Sequence, residues 1–346
     1  MANDRLLYLD FIRVVANLAI ILFHYNVWTE RLVAADFLLV RNYTMLGEIG
    51  VSLFLVLSGA SLSQSTKGDF DAPSFYRKRI RAIFPMFYLV YACFMGLALV
   101  FHQYQFSAER SPFAFALTLI GLDGLLSTVI PTYYLVGEWF LGCIIVLYLL
   151  YPALRYCFVR SDILTLALCC TVVLLLQNHY SFTFPLQRLP LFRIAEFVFG
   201  MFFLTRFTSN RPADHLLIAL ATIVLMVAST LDFPSLGAIT MNMYGMVAFV
   251  CLAYAARFAP WKPLEPAITF LSRYAYPAFL VHHIILKQTL VASSRLIHST
   301  VANLFVFVLV VIVVYSTAYA FDTVLAHLRQ PGRIVGYIKA TAGRRS

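Results

Sequence analysis

Charged residues are scarce in this sequence: Asp, Glu, Lys and Arg make up 12% of its 346 residues, and hydrophobic residues make up 61%. Soluble domains carry about 25% charged residues, so this composition excludes a water-soluble globular protein and indicates a polytopic membrane protein. The sequence also lacks GxGxxG, Walker, HExxH and GxSxG motifs. The common nucleotide-binding folds, metalloproteases and serine hydrolases therefore have no support.

Cysteines and processing signals are few as well. The six cysteines lie in or beside apolar segments, and they show neither metal-ligand spacing nor pairs outside those segments. We therefore expect buried free thiols, no disulfide framework and no metal site. The first apolar stretch is long, carries charges and lacks a small-residue cleavage site, so we expect no cleavable signal peptide.

Ten apolar stretches are long enough to cross about 30 Å of hydrocarbon. They predict an all-α membrane protein with about ten transmembrane helices and no separate soluble domain. The stretches are 8–28, 45–64, 82–102, 133–153, 161–179, 190–207, 213–231, 237–257, 267–290 and 302–325. The segment 112–130 is also apolar, but its Gly121, Asp123 and Gly124 favour a re-entrant or interfacial piece, with an eleventh span as the alternative.

The net charge of +10 comes mostly from basic residues between the predicted spans. With a cytoplasmic N-terminus, 17 of the 26 Lys and Arg residues lie in inside segments, 6 in outside segments and 3 within spans. Because cytoplasmic loops are enriched in Lys and Arg, this bias predicts that both termini are cytoplasmic and that nucleic acid is not a partner. The chain then divides into a polytopic domain, 1–328, and a basic cytoplasmic tail, 329–346, suited to contact with anionic membrane lipids.

The first predicted span carries a stripe of four polar residues, Asp10, Arg13, Asn17 and His24. At about 100° per residue, Arg13 and His24 nearly eclipse each other, and the other two fall within about 60° of the same line. An ionisable group inside a membrane costs on the order of 3 kcal/mol unless it faces protein or water. The stripe therefore predicts the wall of a polar intramembrane cavity.

His24, Arg13 and Asp10 are the candidate catalytic residues of this cavity. Imidazole titrates near neutral pH, so His24 can take a proton from a hydroxyl group. Arg13 can orient His24 through another group or hold an anion. The alternative is an interhelical hydrogen-bond cluster that only fixes helix packing.

A basic cluster, Arg77, Lys78, Arg79 and Arg81, leads into the third span. Such a cluster is typical of positive-inside topology signals. Four basic residues at the inner mouth of a cavity can also hold the phosphates of a nucleotide-bearing cofactor. Both interpretations remain open from the spacing.

Further polar residues within the apolar segments are candidates for the cavity: Ser58, Glu138, Arg193, Glu196, Arg273 and His282. Ser58 belongs to a small-residue segment, 50–59, that favours close helix packing. Arg193 and Glu196 are three residues apart and can pair on one helix face, which favours a structural pair. Pro277 predicts an interruption of its helix, and His282 and His283 are individually ambiguous.

Together these motifs resemble the acyltransferase-3 family of integral membrane acyltransferases. The family's Leu-Asp-x-x-Arg element and following His correspond to Leu9-Asp10, Arg13 and His24. Its Gly-Val-x-x-Phe-Phe-x-x-Ser-Gly element corresponds to Gly50-Val51 through Ser58-Gly59, although Ala60 stands where the family often has Phe. The remaining matches are Arg77–Arg81 with Ile83 and Pro85, Glu138-Trp139 with Tyr148 and Tyr151-Pro152, Arg193 through Gly200, and Ser272 through His282. The third-span Arg-x-x-Arg is displaced, since Ala82 follows Arg79 at that spacing.

The resemblance implies transfer of an acyl group, most often acetyl from acetyl-CoA, to a hydroxyl of a surface or lipid-linked carbohydrate. It implies acyl-CoA as a donor substrate rather than a permanent cofactor, and a bacterial inner membrane location. Some family members carry a soluble hydrolase-like domain after the spans, and we expect this chain to be a stand-alone member without one. His24 would be the general base or would itself take the acyl group. The basic cluster would hold the donor.

Two other functions remain open from the sequence. Polar residues within spans also mark translocation paths, so the chain can be an exporter of a glycan intermediate. A structural partner in a glycan-synthesis complex is the third possibility, and it predicts that Arg13 and His24 tolerate substitution.

Overall fold

The structure is a computed structural model that describes residues 7–33, 37–41, 43–101, 111–206, 237–258 and 263–329. Every regular element in these ranges is helical, which confirms the predicted all-α chain. The α-helices are α1 (Leu7–Leu32), α2 (Tyr43–Ser65), α3 (Ala72–Val100), α4 (Phe115–Leu119), α5 (Asp123–Leu126), α6 (Glu138–Arg160), α7 (Asp162–His179), α8 (Ile194–Arg206), α9 (Gly237–Phe258), α10 (Glu265–Arg273), α11 (Ala275–Ser293) and α12 (Thr300–Leu328).

Within the described residues, seven helices are long and apolar enough to cross a membrane: α1, α2, α3, α6, α7, α9 and α12. The chain is therefore a multi-pass membrane protein. The predicted span 190–207 corresponds to the 13-residue helix α8, and the predicted span 267–290 corresponds to α10 and α11. The predicted span 213–231, and all of the predicted tail after Arg329, lie outside the described residues.

The break between α10 and α11 follows from Pro277. Proline has no backbone N–H, and its ring clashes with the carbonyl group four residues earlier, which here belongs to Arg273. Helix α10 ends at Arg273, Tyr274 takes up φ −94° and ψ 6°, and α11 begins at Ala275. The predicted interruption is therefore present.

Helices α2 and α8 cross at two glycines. A Cβ atom added to Gly59 would overlap the carbonyl oxygen of Phe197, and one added to Gly200 would overlap the carbonyl oxygen of Val56. The backbones approach this closely because neither glycine carries a side chain. This crossing holds α2 against α8. Gly59 belongs to the small-residue segment 50–59, so the close helix packing predicted for that segment is present.

The segment 112–130 forms no helix of spanning length. It contains a 3-10 turn (Pro112–Ala114) and the short helices α4 and α5, and Gly121 between them has φ +71°. Asp123 is buried and accepts a hydrogen bond from the Thr118 hydroxyl at 3.1 Å. The structure therefore favours the re-entrant or interfacial piece over an eleventh span in this stretch.

The six cysteines are all free, as predicted. Their expected burial is only partly correct: Cys143 and Cys169 are buried, whereas Cys93, Cys157 and Cys170 are exposed on the protein surface. A thiol on an apolar helix face that contacts lipid has no need of protein around it.

Candidate active site

Two adjoining cavities lie between the helices, and we name them after their charged residues. The arginine cavity has a volume of about 300 Å³, and Arg13, Ser58 and Arg79 are among its lining residues. The histidine cavity has a volume of about 690 Å³ and is lined by His24, Glu138 and other residues. The first span contributes to both, because Arg13 and His24 share a face but lie about 16 Å apart along the helix.

His24 stands at the centre of a histidine cluster in the histidine cavity. Its ring centroid lies 5.0 Å from that of His282 and 4.9 Å from that of His283. His283 Nε2 lies 3.5 Å from Glu138 Oε1. The cluster thus joins α1, α11 and α6, and it places an imidazole, a second imidazole and a carboxylate around one space.

Glu138 is held in the cluster by an unusual start to α6. Gly137 has φ +92° and Glu138 has φ +48°, which is uncommon for a residue with a side chain. Such strained conformations are found where the surrounding structure imposes them, often at functional sites. The N-terminal end of α6 also carries a partial positive charge that favours a carboxylate there.

His282 lies behind this cluster rather than in the cavity lining. It is fully buried, and its Nδ1 donates a hydrogen bond to the Phe279 carbonyl oxygen at 2.6 Å. This bond leaves Nε2 as the acceptor of a neutral ring, and Nε2 is buried without a hydrogen-bond partner. The sequence singled out His282, whereas His283 is the neighbour that lines the cavity.

His24, Glu138 and His283 also have the donor types of a metal site. Their candidate ligand atoms all lie within 4.8 Å of one another. Two imidazoles and one carboxylate are a ligand set that zinc accepts in catalytic sites. The absence of a metal, expected from the cysteine spacing, therefore stays a prediction.

Arg13 anchors the arginine cavity through a three-residue network. It donates hydrogen bonds to Asp10 Oδ1 at 2.8 Å and to Ser272 Oγ at 2.9 Å, and Ser272 Oγ donates to Asp10 at 2.6 Å. Asp10 is buried, while the Arg13 side chain remains 31% exposed. Asp10 therefore orients Arg13, and Arg13 keeps donors free to meet an anion in the cavity.

Asn17 is the stripe residue that serves packing. It is fully buried, its Nδ2 donates to the Ala275 carbonyl oxygen at 3.1 Å, and its Oδ1 accepts from Tyr315 at 2.8 Å. These bonds tie α1 to α11 and α12. Asn17 lies outside the lining of both cavities. Within the stripe, Asn17 therefore serves helix packing, whereas Arg13 lines the arginine cavity and His24 lines the histidine cavity.

The basic cluster of α3 places one residue at the arginine cavity. Arg79 lines it, and its guanidinium carbon lies 5.8 Å from the Phe75 ring centroid and 5.9 Å from that of Tyr148. Arg77, Lys78 and Arg81 are exposed and do not line it. Successive residues of a helix point about 100° apart around its axis. The four basic residues within the five positions 77–81 therefore cannot all face the same side of α3.

Arg193 is the centre of a buried ionic network. It donates to Asn242 Oδ1 at 2.7 Å, lies 3.3 Å from Glu196 Oε1 and also pairs with Glu48. Arg193 and Glu196 are fully buried. The predicted structural pair is therefore present, and Glu48, which lines the histidine cavity, extends it.

Arg273, in contrast, has a side chain that is 67% exposed and pairs with Asp322 at 3.4 Å, away from both cavities.

Three residues of these sites, His283, Glu48 and Ser272, were not among the site residues predicted from the sequence. His283 stood next to the selected His282, and Glu48 is an acidic residue just before the small-residue segment, which is a usable signal within an apolar stretch. Ser272 begins one of the elements that resemble the family, but its residue type gave no sign of a role in the site. It acts through Asp10, 262 residues earlier in the chain.

Comparison with known proteins identifies the family of the chain. The family model of acyltransferase-3, described as an acyltransferase domain, matches residues 6–321 of the chain. No curated protein and no solved structure matches the chain. The matched range includes both cavities and every candidate residue above. The chain therefore belongs to the acyltransferase-3 family of integral membrane acyltransferases.

Proposed function

We propose that the protein is a membrane O-acyltransferase that moves an acetyl group from cytoplasmic acetyl-CoA to a hydroxyl of a surface or lipid-linked carbohydrate. One observation carries this proposal. The histidine cavity, with His24 beside His283 and Glu138, adjoins the arginine cavity, which has Arg13 and Arg79 in its lining. An imidazole base and an anion-binding cavity that meet inside a bilayer suit transfer between two substrates from opposite sides.

The proposed topology has ten spans and cytoplasmic termini, in a bacterial inner membrane. Arg79 lies near the start of α3, in one of the two most basic inside segments. His24 lies about 17 residues past the start of α1, which is about 25 Å of helix. The arginine cavity then faces the cytoplasm, and the histidine cavity lies in the outer half of the bilayer.

The donor would enter from the cytoplasmic side. Arg79 supplies a cation inside the arginine cavity, which suits the phosphates of CoA, and the exposed Arg77, Lys78 and Arg81 add positive charge to the same end of α3. Arg13, held by Asp10 and Ser272, would position the arm that carries the thioester. Acetyl-CoA is a substrate in this scheme, and no permanently bound cofactor is needed.

The acceptor would enter the histidine cavity. Trp28 and Trp139 line it, each with a guanidinium above its ring: Arg31 at 5.6 Å and Arg188 at 6.0 Å from the ring centroid. Flat indole faces suit the apolar faces of sugar rings, and the indole and guanidinium groups can donate hydrogen bonds to sugar oxygens. This lining supports a carbohydrate over an apolar acceptor.

In the direct route, His24 takes the proton of the acceptor hydroxyl as its oxygen attacks the thioester carbonyl. A carbon–oxygen bond forms and the carbon–sulfur bond breaks. The proton then passes from His24 to the CoA thiolate, so the products are an ester and CoA thiol. Glu138 would hold His283 in place beside His24. In the covalent route, a nitrogen of His24 attacks the thioester carbonyl, the carbon–sulfur bond breaks, and CoA leaves as the thiol with the proton that the acylated ring gives up. The acceptor hydroxyl then attacks the acetyl carbonyl, the carbon–nitrogen bond breaks, and the hydroxyl proton returns to His24.

The test uses the purified full-length protein in vesicles with labelled acetyl-CoA and a membrane glycan extract of the host. We expect ester-linked label with the wild type, a loss of at least about 100-fold with His24→Ala, and no loss with His179→Ala. His179 is an exposed histidine at the end of α7, away from both cavities.

Equal labelling by wild type and His24→Ala at matched protein levels would overturn the role of His24. Vectorial movement of glycan without release of CoA would favour the exporter instead. Ping-pong kinetics would select the covalent route, and a strictly ternary mechanism would exclude it.

A further inference from the structure

Glu48 brings a carboxylate to the histidine cavity that the histidine cluster does not use. Its Oε2 pairs with Arg193 Nη2, and among the described residues no other group hydrogen-bonds to this carboxylate. The Glu48 side chain is 31% exposed and lines the histidine cavity. Because an ionised carboxylate accepts hydrogen bonds on both oxygens, Oε1 is open to a ligand in that cavity.

Arg193 fixes the position of Glu48. The Arg193 guanidinium is fully buried, and all three of its nitrogens are occupied. Nε donates to the Gln187 carbonyl oxygen at 2.7 Å, Nη1 donates to Asn242 Oδ1 at 2.7 Å, and Nη2 pairs with Glu48. A guanidinium bonded in three directions cannot turn, so the Glu48 carboxylate is held in place before a ligand arrives. Such pre-organisation lowers the entropy cost of binding.

The same guanidinium joins Glu48 to an aromatic wall of the cavity. The Arg193 guanidinium carbon lies 5.7 Å from the ring centroid of Trp139, which lines the histidine cavity. A sugar ring carries hydroxyl groups around its edge and C–H groups on its faces. The carboxylate of Glu48 suits the hydroxyl groups and the indole of Trp139 suits the faces.

Glu48 lies at about the same depth in the membrane domain as His24. Helices α1 and α2 touch at Gly47 and Phe23, since a Cβ atom added to Gly47 would lie 2.7 Å from Phe23 Cγ. Glu48 follows Gly47, His24 follows Phe23, and one residue rises only about 1.5 Å along a helix. Both side chains line the histidine cavity. A sugar anchored at Glu48 can therefore place another of its hydroxyl groups at the level of His24.

We propose that Glu48 binds the acceptor by accepting hydrogen bonds from sugar hydroxyl groups, and that it thereby directs a different hydroxyl of the same sugar to His24. This inference rests on the proposed function, because it requires that the acceptor occupies the histidine cavity. Glu48 is then a binding and orienting residue, and it takes no proton in the reaction. The acceptor must carry at least one further hydroxyl group near the one that is acylated.

The experiment uses the full-length protein in vesicles with labelled acetyl-CoA and increasing amounts of the host membrane glycan extract. Glu48→Gln keeps the shape of the side chain but replaces a charged acceptor with a neutral one. We expect the half-saturating extract concentration to rise by about fivefold or more. Glu48→Ala removes the acceptor group, and we expect a rise of about tenfold or more. The KM for acetyl-CoA should equal that of the wild type in both variants, because Glu48 lies outside the lining of the arginine cavity.

Glu196→Gln is the matched control. Glu196 is the second carboxylate beside Arg193, with Oε1 at 3.3 Å from Nη1, but it is fully buried and lies outside the lining of both cavities. Its substitution alters the Arg193 network by the same chemical change and leaves the cavity lining as it is. We expect its half-saturating extract concentration to equal that of the wild type.

The outcomes separate the two proposals. A wild type that transfers no acetyl group would overturn the proposed function, and this inference with it. A wild type that transfers acetyl, together with unchanged half-saturating concentrations in Glu48→Gln and Glu48→Ala, would overturn the role of Glu48 and leave the function standing. An equal rise in Glu196→Gln, or an equal rise in the KM for acetyl-CoA, would also overturn that role, because the effect would then come from disturbance of the Arg193 network.

Discussion

A single methyl group added at Gly59 tests the closest contact between two helices. In Gly59→Ala, the new Cβ would overlap the Phe197 carbonyl oxygen and lie 2.8 Å from the carbonyl carbon. Both are backbone atoms of α8, so they cannot move aside as the end of a flexible side chain can. The helices must separate, and the packing of α2 against α8 must loosen.

The magnitude follows from two opposing terms. Alanine is favoured over glycine within a helix by about 0.5–1 kcal/mol, whereas inserting a methyl group into a filled contact costs about 1–3 kcal/mol, occasionally more. The rigid neighbours place Gly59→Ala at the upper end, so we expect a net destabilisation of about 2 kcal/mol or more. Gly200→Ala, on the other side of the crossing, should behave alike.

Gly96→Ala is the matched control, because an added Cβ at Gly96 in α3 meets no atom within 4 Å. We expect this variant to be as stable as the wild type or slightly more stable. The assay is the thermal midpoint of the detergent-solubilised protein, followed by size-exclusion of the soluble fraction. A Gly59→Ala midpoint at or above that of Gly96→Ala would refute the close crossing of α2 and α8.

Three further predictions concern the cavities. Arg79→Ala should raise the KM for acetyl-CoA by about tenfold or more, whereas Arg160→Ala, an exposed basic residue at the end of α6, should not; equal KM values would contradict a donor site at Arg79. Glu138→Gln and His283→Asn should each lower kcat by about tenfold or more, and the double variant should lose little further; independent, multiplicative losses would contradict their action as one unit. Exhaustive treatment with a chelator should leave transfer unchanged, as the sequence predicts; activity lost and then restored by zinc would instead assign an ion to His24, Glu138 and His283.

The candidate site was only partly predictable from the sequence. Helical periodicity placed Arg13 and His24 on one face, and both face cavities. The same periodicity could not say that Asn17, on the same stripe, is enclosed by Ala275 and Tyr315. A helix repeat gives the direction of a side chain around the axis, but which neighbouring helix stands in that direction is decided by packing.

Neighbouring candidates show the same limit. Arg79 was one of four basic residues in the cluster, and only the packing of α3 shows that it alone lines the arginine cavity. His282 and His283 were equally good by residue type, and the orientation of α11 turned His283 towards Glu138. Arg273 had the signal of a cavity residue, but it lies at the surface with Asp322.

By itself, the sequence determined the properties that depend on composition and local spacing. These are the apolar helices of the membrane domain, the break before Pro277, the close packing around Gly59 and the Arg193–Glu196 pair. Each follows from residues within one or two helical turns of each other, or from the hydrocarbon thickness that a helix must cross.

Only the tertiary structure decided the properties that join distant segments. The Asp10–Arg13–Ser272 network, the link from Glu48 to Arg193 and the ring contacts of Phe140 with Phe54 and Phe279 each bring together residues from separate helices. The physical reason is that buried polar and aromatic groups need partners in space. Which partners meet depends on which helices are neighbours and on how they are aligned along their axes. The local spacing of residues in the sequence determines neither of these.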